Sequence, residues 1–397
     1  MTTTEGAANP PAPAAGGRDW YFDVLRAACL LWVVVYHVFS EQAWLGFWPA
    51  MGLLFAVAGS LMVRSVDRSA AAAVLGRLRR LLPVLWLFAL IAVPVMFWYD
   101  WPAGERPPAW RFAFWILPLA DPPSAAWAES AVVPLWYLRS YVWFVLMSPP
   151  LLFLFRRFPK TMLLIPLGLM VAIGCERINL KWAGLGKASV NLEWAGDVAQ
   201  PVLLDGLQFL ACWLLGFAHR EGMLARLRWA LVLPLGLAFA AAGTRWALTH
   251  RAEEGSYDFN LIPLGQAFYS AGVVLILLRA APKFEWIGRW KVIDRTITVI
   301  NGRAMTIYLC HNPAIDLSYP VGDWLNVWDH GEAFGTAVCF AVAVLLTFAG
   351  MLAFGWVEDV AAGRRPQVLL KDLGRVGALN QRPYGHGSVQ ASERGRV

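Results

Sequence analysis

The chain has 397 residues, of which 58% are hydrophobic and only 15% charged, and 22 are tryptophan. Soluble domains carry about 25% charged residues, so this balance excludes a water-soluble enzyme and predicts an all-α, polytopic integral membrane protein with aromatic interface belts. The net charge of +7 comes without any nucleic-acid-binding motif. Its basic residues lie mostly between apolar runs, where membrane topology needs them, so no nucleic-acid partner is expected.

Residues 1–19 are mostly Thr, Ala, Pro and Gly. They predict a flexible cytoplasmic leader, not a signal peptide, because a basic n-region is missing. Apolar runs near the length that crosses a bilayer, about 20 residues, fall at 22–40, 46–63, 81–99, 131–155, 161–176, 200–218, 229–248, 261–278, 302–320 and 334–356. They predict a bundle of about ten transmembrane helices over 20–356. Pro149-Pro150 should bend or end the fourth run. The ninth carries Asn312, Pro313 and Asp316. Residues 357–397 are basic and polar and predict a disordered cytoplasmic tail. The five cysteines show no metal-ligand spacing and no disulfide framework, so they are expected to be small packing residues and no metal is expected.

The loops alternate in charge. Arg64 to Arg80 follow the second run, Arg156 to Lys160 the fourth, Arg220 to Arg228 the sixth, and a basic link from Arg279 to Arg303 the eighth. The intervening loops hold fewer and more dispersed cations. The positive-inside rule then places both termini in the cytoplasm. The Ala-, Arg- and Gly-rich composition suggests a high-GC bacterium, so the expected location is a bacterial plasma (inner) membrane, crossed many times.

Chemistry-bearing residues follow in chain order. Arg26 and His37 sit in the first run with 10 residues between them. An ionisable residue inside a membrane is a functional hypothesis by default, and histidine exchanges protons near neutral pH. His37 lies about 16 Å beyond Arg26 at helical rise. Asp23 is one turn before Arg26 and placed to pair with it; Glu41 is one turn beyond His37. Arg77 and Arg80 lie in GRLRRLLP, read as a cytoplasmic loop before the third span, and arginine forks match phosphate oxygens. Arg139, beside Trp136 and Tyr137, lies inside a span and should face a cavity or a carboxylate. Asp205 is at a similar depth. Tyr308, His311, Asn312 and Asp316 crowd one late helix whose backbone ladder Pro313 weakens. Taken singly, the groups within spans are equally well explained as interhelical hydrogen bonding, and Arg77 and Arg80 are better explained by topology or lipid headgroups.

Together they resemble one family. FDVLRAACLLWVVVYH is similar to the Asp-x-x-Arg and Arg-x10-His pattern of the membrane acyltransferase 3 family. Arg77-x-x-Arg80 is similar to its cytoplasmic Arg-x-x-Arg, PLWYLRSYVWFVLMSP to its Leu-Trp-Tyr/Phe-Leu segment, and MTIYLCHNP to its late Tyr-Leu-x-His-x-Pro helix. One departure stands in LLFAVAGSLM, where Ala58 replaces the family's serine before Gly59 and Ser60 follows it. The resemblance implies transfer of an acyl group, acetyl being the commonest, from cytosolic acyl-CoA to a hydroxyl of a carbohydrate or glycosylated acceptor. In that scheme Arg77, Arg80 and Arg26 hold the acyl-CoA, and His37 is the general base, a role worth typically ~10²–10⁴-fold. Glu41 and Arg26 complete the catalytic set. Trp136, Tyr137, Arg139, Asp205, Tyr308, His311 and Asp316 line the acceptor cavity. The other partners are membrane lipids. The rival function is a proton-coupled transporter of a small polar solute with His37, Arg139 and Asp205 as relay. It calls for an internal repeat and paired broken helices, and neither is visible in the sequence.

Overall fold

A computed structural model describes residues 18–39, 42–99, 101–175, 193–252 and 257–367. Asp19 starts the first helix by accepting a hydrogen bond from the Phe22 amide at 3.2 Å. This helix is α1 (Trp20–Val38). It is followed by α2 (Ala50–Arg68), α3 (Ala70–Trp98), α4 (Ala113–Ile116), α5 (Glu129–Val132), α6 (Leu135–Arg157), α7 (Pro159–Gly174) and α8 (Glu193–Arg220). The remainder are α9 (Met223–Arg226), α10 (Trp229–Thr249), α11 (Pro263–Ala280), α12 (Lys291–Gly302), α13 (Ala304–Trp324), α14 (Glu332–Phe354) and α15 (Trp356–Ala361). No strand occurs among the described residues. Among the described residues eight helices are long and apolar enough to cross a membrane; α7 is shorter, and α13, with its polar groups, falls outside that set. The protein is thus an all-α polytopic bundle.

Helices in hydrocarbon gain little from burying apolar surface against each other, so close backbone approach through small residues decides which ones pair. The α10–α11 pair shows this. Gly236 faces the Gly272 carbonyl and Gly243 faces the Gly265 carbonyl, so a Cβ at any of them would press on the opposing helix. On α2 and α8, Gly59 lies against the Trp213 carbonyl and Gly216 against that of Ala56. Around this seam Leu53, Phe55, Ala56, Cys212, Trp213 and Phe217 are fully buried. Large apolar side chains such as Leu90, Phe153 and Leu345 point outward, as a bilayer solvent permits.

Several expectations are corrected or narrowed. Arg77 and Arg80 are not in a loop: α3 begins at Ala70 and contains both. Ser69 caps its start, accepting from the Ala72 amide, and the following alanines and arginines are strong helix formers. Pro149-Pro150 does not end α6, which continues to Arg157; beside the proline pair the Ser148 hydroxyl bonds the Phe144 carbonyl at 2.6 Å. The stretch expected to open a disordered tail folds first as α15, because its two carboxylates are claimed by the bundle. Asp359 pairs with Arg303 at 2.6 Å, and Glu358 accepts from the Thr306 amide at 2.7 Å. Residues 368–397 of the expected tail, and 1–17 of the expected leader, lie outside the described residues.

The basic link expected between spans also folds, as α12, which packs along α1. Arg18 reaches Asp294 at 2.7 Å and Thr298 at 3.0 Å, and Asn301 donates to the Asp23 carbonyl. The chain breaks at Arg303 and continues as α13. Arg303 is buried and donates to the Gly355 carbonyl at 2.6 Å, where α14 gives way to α15. Two helix breaks therefore meet at one arginine. Glu358 caps the α13 amide ends from outside that helix, satisfying donors that a break leaves orphaned.

Candidate active site

His37 occupies the last turn of α1, and His311 lies in the first half of α13. Their rings meet edge to face with centroids 4.9 Å apart. His37 Nδ1 is 2.8 Å from the Val33 carbonyl, and His311 Nδ1 is 2.5 Å from the Tyr308 carbonyl. A carbonyl only accepts, so in each ring Nδ1 carries the hydrogen and the neutral ring keeps its lone pair at Nε2. His311 is wholly buried, and its Nε2 has no partner among the described residues. A buried polar atom without a partner is uncommon and costly. Among the described residues no carboxylate orients His37: its own helix does so through the carbonyl four residues back. Glu41 lies outside the described residues.

Below the histidines runs a column of aromatic rings. Tyr308 stands 5.6 Å from His311, Tyr137 5.4 Å from Tyr308, and Tyr141 6.3 Å from Tyr137. Arg77 donates to the Tyr141 hydroxyl at 3.2 Å. Arg26 lies within electrostatic range of Tyr137. The expected Asp23–Arg26 pair does not form. Asp23 is taken by Arg18 at 2.6 Å, and Arg18 in turn is fixed on α12, so Arg26 makes no ion pair among the described residues. Arg80 is exposed on α3, on the same helix as Arg77.

The remaining expected residues divide by role. Arg139 is 1% exposed and bridges Asp205 and Asp121, which fulfils the need for a carboxylate twice over. That pairing commits its two terminal nitrogens to the protein, not to an open cavity. Trp136 stacks on Phe209 at 5.5 Å, and Tyr137 also packs on Phe55 at 4.7 Å. On α13, Tyr308 donates to the Pro134 carbonyl, Asn312 to the Ser130 carbonyl at 2.7 Å, and Asp316 accepts from the Ser130 hydroxyl at 2.6 Å. Positions 308, 312 and 316 form one helical stripe that fastens residues 130–134 to α13. His311, one position off that stripe, faces His37 instead.

Sequence reasoning missed several partners. Tyr141 was visible as the residue one turn after Tyr137. Asp121 carried no signal, since it lies in a Pro-rich segment outside every apolar run. Tyr36 donates to Asp258 at 2.5 Å and holds the outer end of α1 to a buried carboxylate. Ser60, two residues after the altered family serine position, is buried against His219, with Oγ 3.1 Å from Nδ1.

No curated protein and no solved structure matches the chain significantly. Residues 19–356 match the family model described as an acyltransferase domain. That span covers most of the chain and takes in both histidines, the tyrosine column and Arg77, so the chain belongs to the membrane acyltransferase 3 family.

Proposed function

We propose that this membrane acyltransferase moves an acyl group, acetyl in the first instance, from cytosolic acyl-CoA to a hydroxyl of a carbohydrate or glycosylated acceptor. The location is a bacterial inner membrane with both termini in the cytoplasm, the side on which the basic residues concentrate. The observation that carries the reading is the His37–His311 pair, with the Nε2 of His311, unpartnered among the described residues, at the head of a tyrosine column that reaches Arg77.

Acyl-CoA brings phosphates and a reactive thioester on a long flexible arm. Arg77, Arg80 and Arg26 match the phosphates as charge-assisted donors. Arg26 and Arg77 have no acidic partner among the described residues, which supports a role toward an incoming anion. The arm then follows the column toward the histidines. His37 Nε2 takes the proton of the acceptor hydroxyl as its oxygen attacks the thioester carbonyl. The C–O bond forms, the C–S bond breaks, and the leaving thiolate recovers the proton from the His37 imidazolium. Two imidazoles this close do not both carry charge, so His311 stays neutral while His37 is protonated, and its free Nε2 is available to the acceptor hydroxyl. Tyr308 and Asp316 act by holding the 130–134 segment in place, and Arg139 with Asp205 by fixing α6 to α8.

The test uses membranes carrying the protein, labelled acetyl-CoA and a cell-envelope extract, with mass spectrometry of the product. His37→Ala should abolish labelling while leaving expression and melting behaviour unchanged. Undiminished labelling in that variant would overturn the assignment of the base.

A further inference from the structure

A groove of about 640 Å³ runs along the outside of the bundle between α12 and α14, floored by α1 and α13. That volume falls in the range of ligand pockets, roughly 300–1,000 Å³. Its polarity changes along its length. On α12 the groove-lining residues share one face and begin with Lys291 and Arg295, then continue as Val299 and Ile300. From Lys291 to Ile300 the groove extends about 14 Å at helical rise. Val344 and Phe348 of α14 form the facing wall. One end is therefore cationic and the rest hydrocarbon.

Two further observations select the occupant. Val292, Val344 and Phe348 are 78%, 43% and 53% exposed, so the groove lies open on the outer surface of the bundle, and its α14 wall belongs to a helix long and apolar enough to cross a membrane. Asp294 is the one acid on α12, and it is engaged by Arg18, so the Lys291 charge is not cancelled on its own helix. An occupant that enters from the bilayer, carries a negative head and lays down a hydrocarbon chain is a phospholipid.

We propose that this groove binds one anionic phospholipid, with its phosphate at Lys291 and Arg295 and one acyl chain along Val299, Ile300 and Phe348. The floor residues Val34 and Ile307 lie three and four positions before His37 and His311. The bound chain thus rests on the backs of the two helices that carry the histidine pair. The site stands independently of the acyl-transfer assignment, because its test reads lipid binding and not activity.

The experiment is native mass spectrometry of the full chain, purified in mild detergent and titrated with phosphatidylglycerol or phosphatidylcholine. Phosphatidylglycerol should bind one per chain and in preference to phosphatidylcholine. Lys291→Glu reverses one charge, a change of two, and at roughly fivefold per charge should weaken phosphatidylglycerol binding about thirtyfold. Lys291→Arg should preserve it. Val344→Trp fills the groove without altering charge and should remove the bound lipid. Both Lys291 and Val344 are exposed, so these variants should melt as the parent does. Equal binding of the two lipids, or unchanged binding in Lys291→Glu, would overturn the proposal. So would one-for-one displacement of the lipid by palmitoyl-CoA, which would make the groove a donor site.

Discussion

Glu358→Gln should flatten the pH dependence of stability, in a direction set by the geometry at the start of α13. Glu358 Oε1 accepts from the Thr306 amide at 2.7 Å and from the Thr306 hydroxyl at 2.5 Å. Burial in α15 pushes its carboxyl up from the ordinary 4.5 to about 7, against the lowering effect of the Thr306 hydrogen bonds and the nearby Arg303 charge. A carboxyl raised on folding is held protonated by the folded state. Its contribution is therefore full below the ordinary value and is lost as pH climbs through about 7. At 1.36 kcal/mol per pH unit that interval amounts to about 3 kcal/mol. Glutamine keeps an acceptor for Thr306 but cannot ionise. Thermal unfolding in detergent between about pH 4.5 and 8 should show the parent losing stability relative to Glu358→Gln as pH rises, by roughly 5 °C in Tm at the alkaline end. At the acid end the two should converge. Parallel profiles across that range would refute the assignment of a buried, titrating carboxylate at the α13 cap.

Three other outcomes follow from the same contacts. Arg139→Ala leaves Asp121 and Asp205 without their shared cation and should cost about 3–5 kcal/mol, read as a lowered Tm. Arg139→Lys should recover only part of this, because an ammonium cannot reproduce the fork that spans two carboxylates. Arg77→Ala and Arg26→Ala should each raise the KM for acyl-CoA several-fold with little change in KM for the acceptor; an unchanged donor KM in both would confine these arginines to topology. Gly272→Leu should destabilise the α10–α11 seam by about 1–3 kcal/mol, since its side chain would press on the Gly236 carbonyl. Leucine at the outward-facing Gly76, where a Cβ meets nothing within 4 Å, is the matched control.

Membrane character and the positions of most spans were legible from the sequence, because the cost of placing a residue in hydrocarbon is nearly a property of that residue and its neighbours. The same holds for the order of Arg26, His37, Arg77 and His311, which carried the family resemblance. Local composition misled where a short segment was both charged and apolar. The 291–302 stretch looked like a link because its lysine and arginine count toward loop charge, yet its apolar face packs on α1. The 357–361 stretch looked like the start of a tail because its two acids are costly in isolation, and they become tolerable only beside Arg303 and Thr306.

What each polar side chain touches was decided by the tertiary structure. From sequence, Asp23 and Arg26 are natural partners one turn apart, but Arg18 is held at Asp23 by a second anchor on α12, and that frees Arg26. Arg139 was marked as needing a carboxylate, and the fold supplied one expected acid, Asp205, and one with no signal, Asp121. Tyr308, Asp316 and His311 were indistinguishable as polar groups on one helix; only packing turned the first two toward residues 130–134 and the third toward His37. The sequence by itself determined that costly groups sit inside the membrane, since hydropathy is local. Their pairing depends on contacts between distant parts of the chain. In a low-dielectric interior a shift of a few ångströms separates a satisfied charge from an orphaned one, so only the folded bundle settles which groups serve structure and which face each other as a site.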